Sequence, residues 1–155
     1  MNITKISPAV KTEGHYNDFL DNEFSFSLDE TQLVTLGLKK GDAIDELQLL
    51  ELKNESDFGK NYIRAVDLIS RRLRSEREIR DYARRKQWTE DNTERVIDRL
   101  CERGYLNDER FAESFVRSRA NTRNFSATRM KVELQKKGVK PDIITNILAE
   151  SDDYD

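Results

Sequence analysis

Apolar residues recur at helical spacing through most of the chain beyond position 60, and the pattern appears twice. The first copy runs Ala65, Leu68, Ile69, Arg72, then Ser75, Ile79, Ala83, Trp88, then Val96, Ile97, Leu100. The second runs Ala112, Phe115, Val116, Arg119, then Ser126, Met130, Leu134, Val139, then Ile143, Ile144, Ile147. First and third helices share one offset, Ala65 to Ala112 and Val96 to Ile143, whereas Ser75 to Ser126 is displaced by four more residues. The alignment therefore predicts a four-residue insertion near Asn121–Asn124 cancelled by a four-residue deletion before Ile143. Repeated three-helix units of this kind stack on their neighbours. The fold class that follows is mainly α: tandem three-helix repeats forming an elongated curved array, preceded by a small α+β module.

That module reads from the first 57 residues. Ile3, Ile6 and Val10 mark a short strand interrupted by Pro8, which suits an edge or a strand end. His15–Leu20 and Glu23–Leu28 form a hairpin turning at Asp21-Asn22, and Phe24, Phe26 and Leu28 alternate with Ser25 and Ser27. Ser27-x-x-Glu30 reads as a capping box for a short helix that Gly37 ends, and Asp45 as the N-cap of a helix through Leu52. Asn54–Gly59 is the expected joint. The domains are then 1–57 (α+β module), 58–106 (repeat 1), 107–150 (repeat 2) and 151–155 (acidic tail).

Within the repeats, Ser75-x-x-Glu78 is a second capping box, with Ile79, Tyr82 and Ala83 as the apolar stripe behind it. Thr89 caps the third helix, Gly104 ends it, Asn107 or Asp108 caps the fourth, Gly138 ends the fifth, and Pro141 opens the last. Projecting the Tyr105–Asp108 joint forward lands on Asp152–Asp155, which predicts either the opening of a third repeat or an acidic cap.

Charge sharpens this picture. The net charge of −3 hides an asymmetry: residues 1–60 hold 6 Lys, no Arg and 12 acids, whereas 61–149 hold 21 basic and 14 acidic residues, 16 of the basic ones arginine. An arginine-rich helical face suits forked contacts to carboxylate or phosphate, although i, i+4 pairs such as Glu76–Arg80 and Asp81–Arg85 neutralise part of it. The candidate partner-binding residues are Arg71, Arg72, Arg74, Arg77, Arg80 and Arg84 in the first copy. Arg117, Arg119, Arg123, Arg129, Lys136 and Lys137 supply them in the second. Arg77, Arg80 and Arg84 are expected to line one stripe. The loop 120–125, where the second copy is longer, is a further contact candidate or a connector pinned by Phe125.

Candidate chemistry is sparse. Cys101 follows Leu100 in a helix and reads as a small buried hydrophobe; as a single cysteine it forms no internal disulfide and fits a reducing compartment. His15 stands alone, so no metal cluster or nucleophile–base pair can be assembled, and the carboxylates fall on solvent-facing positions. Trp88, Tyr105 and Phe111 fit the core and joints better than base stacking. The expectation is a cytoplasmic, non-enzymatic monomer with no metal, no cofactor and no membrane segment.

Arg71–Arg80 (Arg-Arg-Leu-Arg-Ser-Glu-Arg-Glu-Ile-Arg), followed by Gly104-Tyr105-Leu106-Asn107-Asp108-Glu109-Arg110-Phe111-Ala112, resembles the RecX family of recombination regulators. Glu133–Val139 and the opening Ile3–Ser7, Phe24–Ser27 and Gly37–Gly41 resemble it too, the opening matching the N-terminal extension of some members. The resemblance implies a RecA modulator that lies along the RecA–single-stranded-DNA filament groove and inhibits recombinase and ATPase activity without chemistry of its own. Members typically carry three such repeats against the two read here. Two other readings stand beside it: a helical regulator that presents its basic repeats to duplex DNA, and an adaptor that works through its α+β module.

Overall fold

The computed structural model describes residues 1–120 and 125–152, apart from the side chains of Ser151 and Asp152. Two compact units meet at Ile63/Arg64. In the first, β1 (Ile3–Pro8), β2 (His15–Leu20) and β3 (Glu23–Asp29) form an antiparallel sheet in the order β1-β2-β3. The hairpin turns at Asp21 and Asn22, whose φ values of 46° and 71° make the left-handed turn that matches strand twist. α1 (Glu30–Leu36) follows, then α2 (Glu46–Arg71), capped by reciprocal bonds between Asp45 and Gln48. Ile3, Leu20, Phe26, Leu28, Ile44 and Leu52 are the buried core of this unit.

Two sequence expectations fail here for packing reasons. The box capping α1 is Asp29 with Gln32, not Ser27 with Glu30; the Ser27 hydroxyl donates to Asn17 Oδ1 at 2.8 Å across the hairpin. The expected joint at Asn54–Gly59 is helical, inside the 26 residues of α2. Its small polar residues serve close approach instead of flexibility. Ser56 is buried and its Oγ accepts the Ser27 N–H at 3.3 Å, while Gln32 Nε2 donates to the Glu55 carbonyl at 2.8 Å. A Cβ on Gly59 would stand 3.1 Å from Gln32 Oε1, so glycine lets α1's cap reach the helix. Tertiary contact overrides weak helix propensity.

In the second unit the end of α2 is followed by α3 (Glu76–Arg85), α4 (Glu90–Glu102), α5 (Asp108–Arg119), α6 (Ala127–Lys136) and α7 (Pro141–Asp152). Ser75 and Thr89 accept backbone N–H bonds as N-caps, as read from sequence; of the two residues offered for α5 Asn107 is the cap, and Ser126 caps α6 in the same way. Phe111, Ala112, Val116, Met130, Leu134, Val139, Ile144 and Ile147 form the core of the second copy, and Leu73 packs on it.

The register of the repeat is corrected. Ser75 corresponds to Ser126, Gln87 to Gly138, Glu90 to Pro141 and Val96 to Ile147, all at one displacement. Burial agrees: Thr93 and Val96 are buried, as are their counterparts Ile144 and Ile147. There is one insertion between copies and no compensating deletion, because the α3–α4 and α6–α7 connectors are equally long. Apolar residues at both Ile143 and Ile144 made the wrong register look equally good. The corrected register carries the projected joint past Asp155; Asp153–Asp155 lie outside the described residues.

Both middle helices end in the same motif. Gln87 (φ 60°) and Gly138 (φ 81°) take the left-handed position, and the next residues, Trp88 and Val139, donate to Ala83 and Leu134 at 3.0 and 3.1 Å. The copies then meet end to end: Ser75 Oγ donates to the Lys137 carbonyl at 2.7 Å, and the Glu76 N–H to Asp108 Oδ1 at 2.9 Å. A Cβ at Gly138 would fall 2.6 Å from Arg77 Cβ, whereas one at Gly104 (φ 75°) would meet nothing within 4 Å.

Gly104→Ala should therefore cost only the left-handed backbone penalty, about 1–2 kcal/mol. Gly138→Ala should cost a further ~1–3 kcal/mol for the collision with α3. Denaturant unfolding of both variants checks this; equal losses would show that the helix ends are not held together.

Candidate partner-binding surface

Arg71, Arg72 and Arg74 follow one another where α2 ends and the connector to α3 begins. Arg71 holds Asp67 at 3.0 Å on the open surface. Arg72 grips Glu78 through both terminal nitrogens, at 2.5 and 3.4 Å, and also donates to the Leu73 carbonyl at 2.9 Å. Glu78 is the far arm of the Ser75 capping box and stands 3.8 Å from Lys137 Nζ. Burial tends to raise its carboxyl, but Arg72, the Ser75 N–H and Lys137 together hold it below the ordinary glutamate value. Arg74 is half-buried, and its Nε finds no partner among the described residues. Burial and the neighbouring charges of Arg72, Arg71 and Arg85 lower its pKa, a sign of concentrated positive potential partly offset by Glu78.

The expected stripe on α3 separates into three different environments. Arg77 is exposed, with its stem against Gly138. Arg80 is clamped between Glu76, at 2.9 Å, and Glu94 on α4; the hydrogen bonds it donates to Glu94 and then to Glu76 raise its pKa. Its charge fastens α3 to α4 and offers little to a partner. Arg84 is exposed and pairs with Asp81 at 2.7 Å, so the pair expected between Asp81 and Arg85 forms one residue earlier.

In the second copy Arg117 is exposed and makes no ion pair among the described residues. The Arg119 guanidinium lies 4.9 Å from the Phe115 ring and 5.3 Å from Phe125, and that of Arg129 4.0 Å from Phe125. The Phe125 ring thus sits among Phe115, Arg119 and Arg129, while Arg123 and the rest of 121–124 lie outside the described residues. Lys136 pairs loosely with Glu133 at 3.7 Å. The fold brings Arg72, Arg119 and Lys137, from three separate segments, around one cleft of about 280 Å³ floored by Leu73, Phe111 and Phe115. Arg71, Arg84 and Arg117 are not part of it.

Two side chains, Cys101 and Asp18, sit differently from expectation, whereas Trp88, Phe111 and Tyr105 lie in the core and joints as expected. Cys101 is exposed, one position past the buried Leu100 on α4; partial desolvation of its sulfur, then Glu76, Asp98 and Asp108, raises its thiol pKa. Trp88 packs edge-on against Tyr82 with ring centroids 5.6 Å apart, Phe111 is buried, and Tyr105 is 44% exposed at the joint. No group of three or more His, Cys, Asp and Glu side chains could hold a metal ion among the described residues. No helix there is long and apolar enough to cross a membrane. The expectation that all carboxylates face solvent fails at Asp18. It is fully buried on β2, opposite Ile6 and Phe26, and neither oxygen finds a partner among the described residues. Burial alone pushes its pKa from 3.8 to about 7. The alternation in β2 was a usable signal, since Asp18 shares a face with Leu20.

Residues 1–45 match the family model of the RecX regulatory protein N-terminal domain, 62–100 that of the first RecX three-helix domain, and 107–148 that of the second. The chain is 38% identical to a regulatory protein RecX of Bacillus velezensis over 95% of its own length and 56% of that protein's. It is 33% identical to one of Listeria monocytogenes over 99% of its own length and 57% of that protein's. It therefore spans a little over half the length of these curated relatives. A crystal structure of a regulatory protein RecX superposes with a TM-score of 0.83 at 28% identity, covering 96% of this chain and 73% of that one.

Asp18 generates a pH prediction. Its folded pKa lies above the unfolded value, so the folded state binds the proton more tightly. The first unit should gain stability as pH falls from about 7 toward 3.8 and carry a constant deficit above that window. Asp18→Asn should abolish this dependence and stabilise the unit at pH 8 by on the order of 3 kcal/mol. Hydrogen exchange of the β2 amides reads it; identical pH profiles for both proteins would contradict the assignment.

Proposed function

The chain belongs to the RecX family of regulatory proteins, and we propose from that membership that it binds the RecA–single-stranded-DNA filament and restrains its recombinase and ATPase activity. On this reading it acts in the cytoplasm as a monomer, in DNA repair, recombination and the SOS response. It uses no cofactor and performs no covalent chemistry. The observation that carries the reading is the duplication of the charged positions together with the helices. Arg72 and Arg119 occupy corresponding places where the first helix of each copy ends, and Lys86 and Lys137 are the C-caps of the two middle helices. Like charges repeated on one compact unit suit a partner that itself repeats, because the second contact is then intramolecular and adds avidity without a strong single site.

The structure also says which cations to test. Arg72 and Arg80 hold the capping box and the α3–α4 contact, so reversing them would damage the fold. Arg71, Arg84 and Arg117 are exposed, and the surface pairs of the first two contribute little to stability. The wild-type chain should lower RecA ATP hydrolysis on single-stranded DNA as its concentration rises. Arg71→Glu, Arg84→Glu and Arg117→Glu combined should raise the concentration required by about tenfold or more, a change of some 1.4 kcal/mol. If saturating wild-type protein leaves both hydrolysis and filament assembly unchanged, the reading fails.

A further inference from the structure

We propose that the cleft framed by Arg72, Arg119 and Lys137 is a docking site for an acidic protein segment that inserts one apolar side chain between its carboxylates. The proposal rests on the filament reading only in taking this face of the second unit as a protein contact.

Three features on the surface specify the occupant. The rim is cationic and comes from three segments: the connector after α2, the end of α5, and the C-cap of α6. The floor is apolar, made by Leu73, Phe111 and Phe115, and its volume of about 280 Å³ is on the scale of a side chain rather than an oligonucleotide. The rim also already demonstrates carboxylate recognition, since Arg72 holds Glu78 with both terminal nitrogens in the forked arrangement that guanidinium favours. Lys137 approaches the same carboxylate at 3.8 Å, and Arg119 has no carboxylate partner among the described residues. An incoming acid would therefore meet a cation not yet neutralised.

A nucleic-acid strand fits less well. Stacking a base requires an open ring face. The Phe115 ring already has the Phe111 ring beside it at 6.5 Å, the edge of Phe125 at 6.5 Å, and the Arg119 guanidinium at 4.9 Å. What remains accessible is a gap between aliphatic and aromatic walls, which rewards insertion of a leucine- or phenylalanine-like group. Charge supplies orientation and apolar contact supplies selectivity.

The test is fluorescence anisotropy with the intact chain and three labelled probes: the peptide Glu-Asp-Phe-Asp-Glu, its twin with Ser in place of Phe, and a short oligothymidylate. The Phe peptide should bind about tenfold more tightly than its twin. Arg119→Gln should weaken it by a similar factor. Ser114→Phe, which fills the cleft from its half-buried wall while leaving every cation in place, should abolish the preference for Phe over Ser. Equal binding of the two peptides by the wild type would overturn the proposal. So would tighter binding of the oligothymidylate that is lost in Arg119→Gln. The peptide preference decides the cleft by itself, whereas an unchanged RecA ATPase beside a positive peptide result would sink the filament reading alone.

Discussion

The Ser75 hydroxyl accepts the Glu78 N–H at 3.2 Å and donates to the Lys137 carbonyl at 2.7 Å. One fully buried oxygen thereby closes the N-terminus of α3 and the C-terminus of α6 together. Each of those helix ends leaves backbone groups that its own helix cannot satisfy, and their partial charges have opposite sign. Placing the two ends against each other satisfies both. Gly138 permits the approach, and Asp108 extends the junction by accepting the Glu76 N–H. Burial, then partly opposing contributions from that N–H and from the nearby Glu76 charge, leave the Asp108 pKa above the ordinary aspartate value.

The candidate surface depends on this junction. Arg72 reaches the cleft from the first copy, and Lys137 from the very residue whose carbonyl Ser75 holds. Glu78 closes the network: it caps Ser75, binds Arg72, and lies near Lys137, so a structural carboxylate also sets the spacing of two candidate contact cations. Arg119 is fixed separately by its rings. A junction that loosened would move the cations of one copy relative to those of the other, and the avidity proposed for a repeating partner would fall.

Much of this was legible in the sequence because it is local. The hairpin at Asp21-Asn22, the Ser75 box, the Thr89 cap and the helix end at Gly138 each require a particular residue type at one backbone geometry. What could not be read was nonlocal. Asn54–Gly59 has the composition of a linker, yet its small residues accommodate β3 and Gln32 from elsewhere in the chain. Ser75's second bond, to a carbonyl 62 residues away, has no signature beyond the first. Among the charged candidates, sequence places Arg80 beside Arg77 and Arg84, and only the approach of Glu94 from α4 distinguishes it. Cys101 and Asp18 went astray for a related reason: helical phase at one position, and strand alternation in a polar residue, are each weaker signals than the apolar stripes around them.

Hydrogen exchange on the Ser75→Ala variant addresses the central claim, that the two copies are joined through a shared helix-end junction. Losing only an N-cap would release protection near the start of α3. Losing the junction should release the last turn of α6 and the start of α7 at the same time, by a comparable factor. Coincident loss in α3 and α6 is the result this account requires. Protection that falls in α3 while α6 and α7 exchange as in the wild type would contradict it.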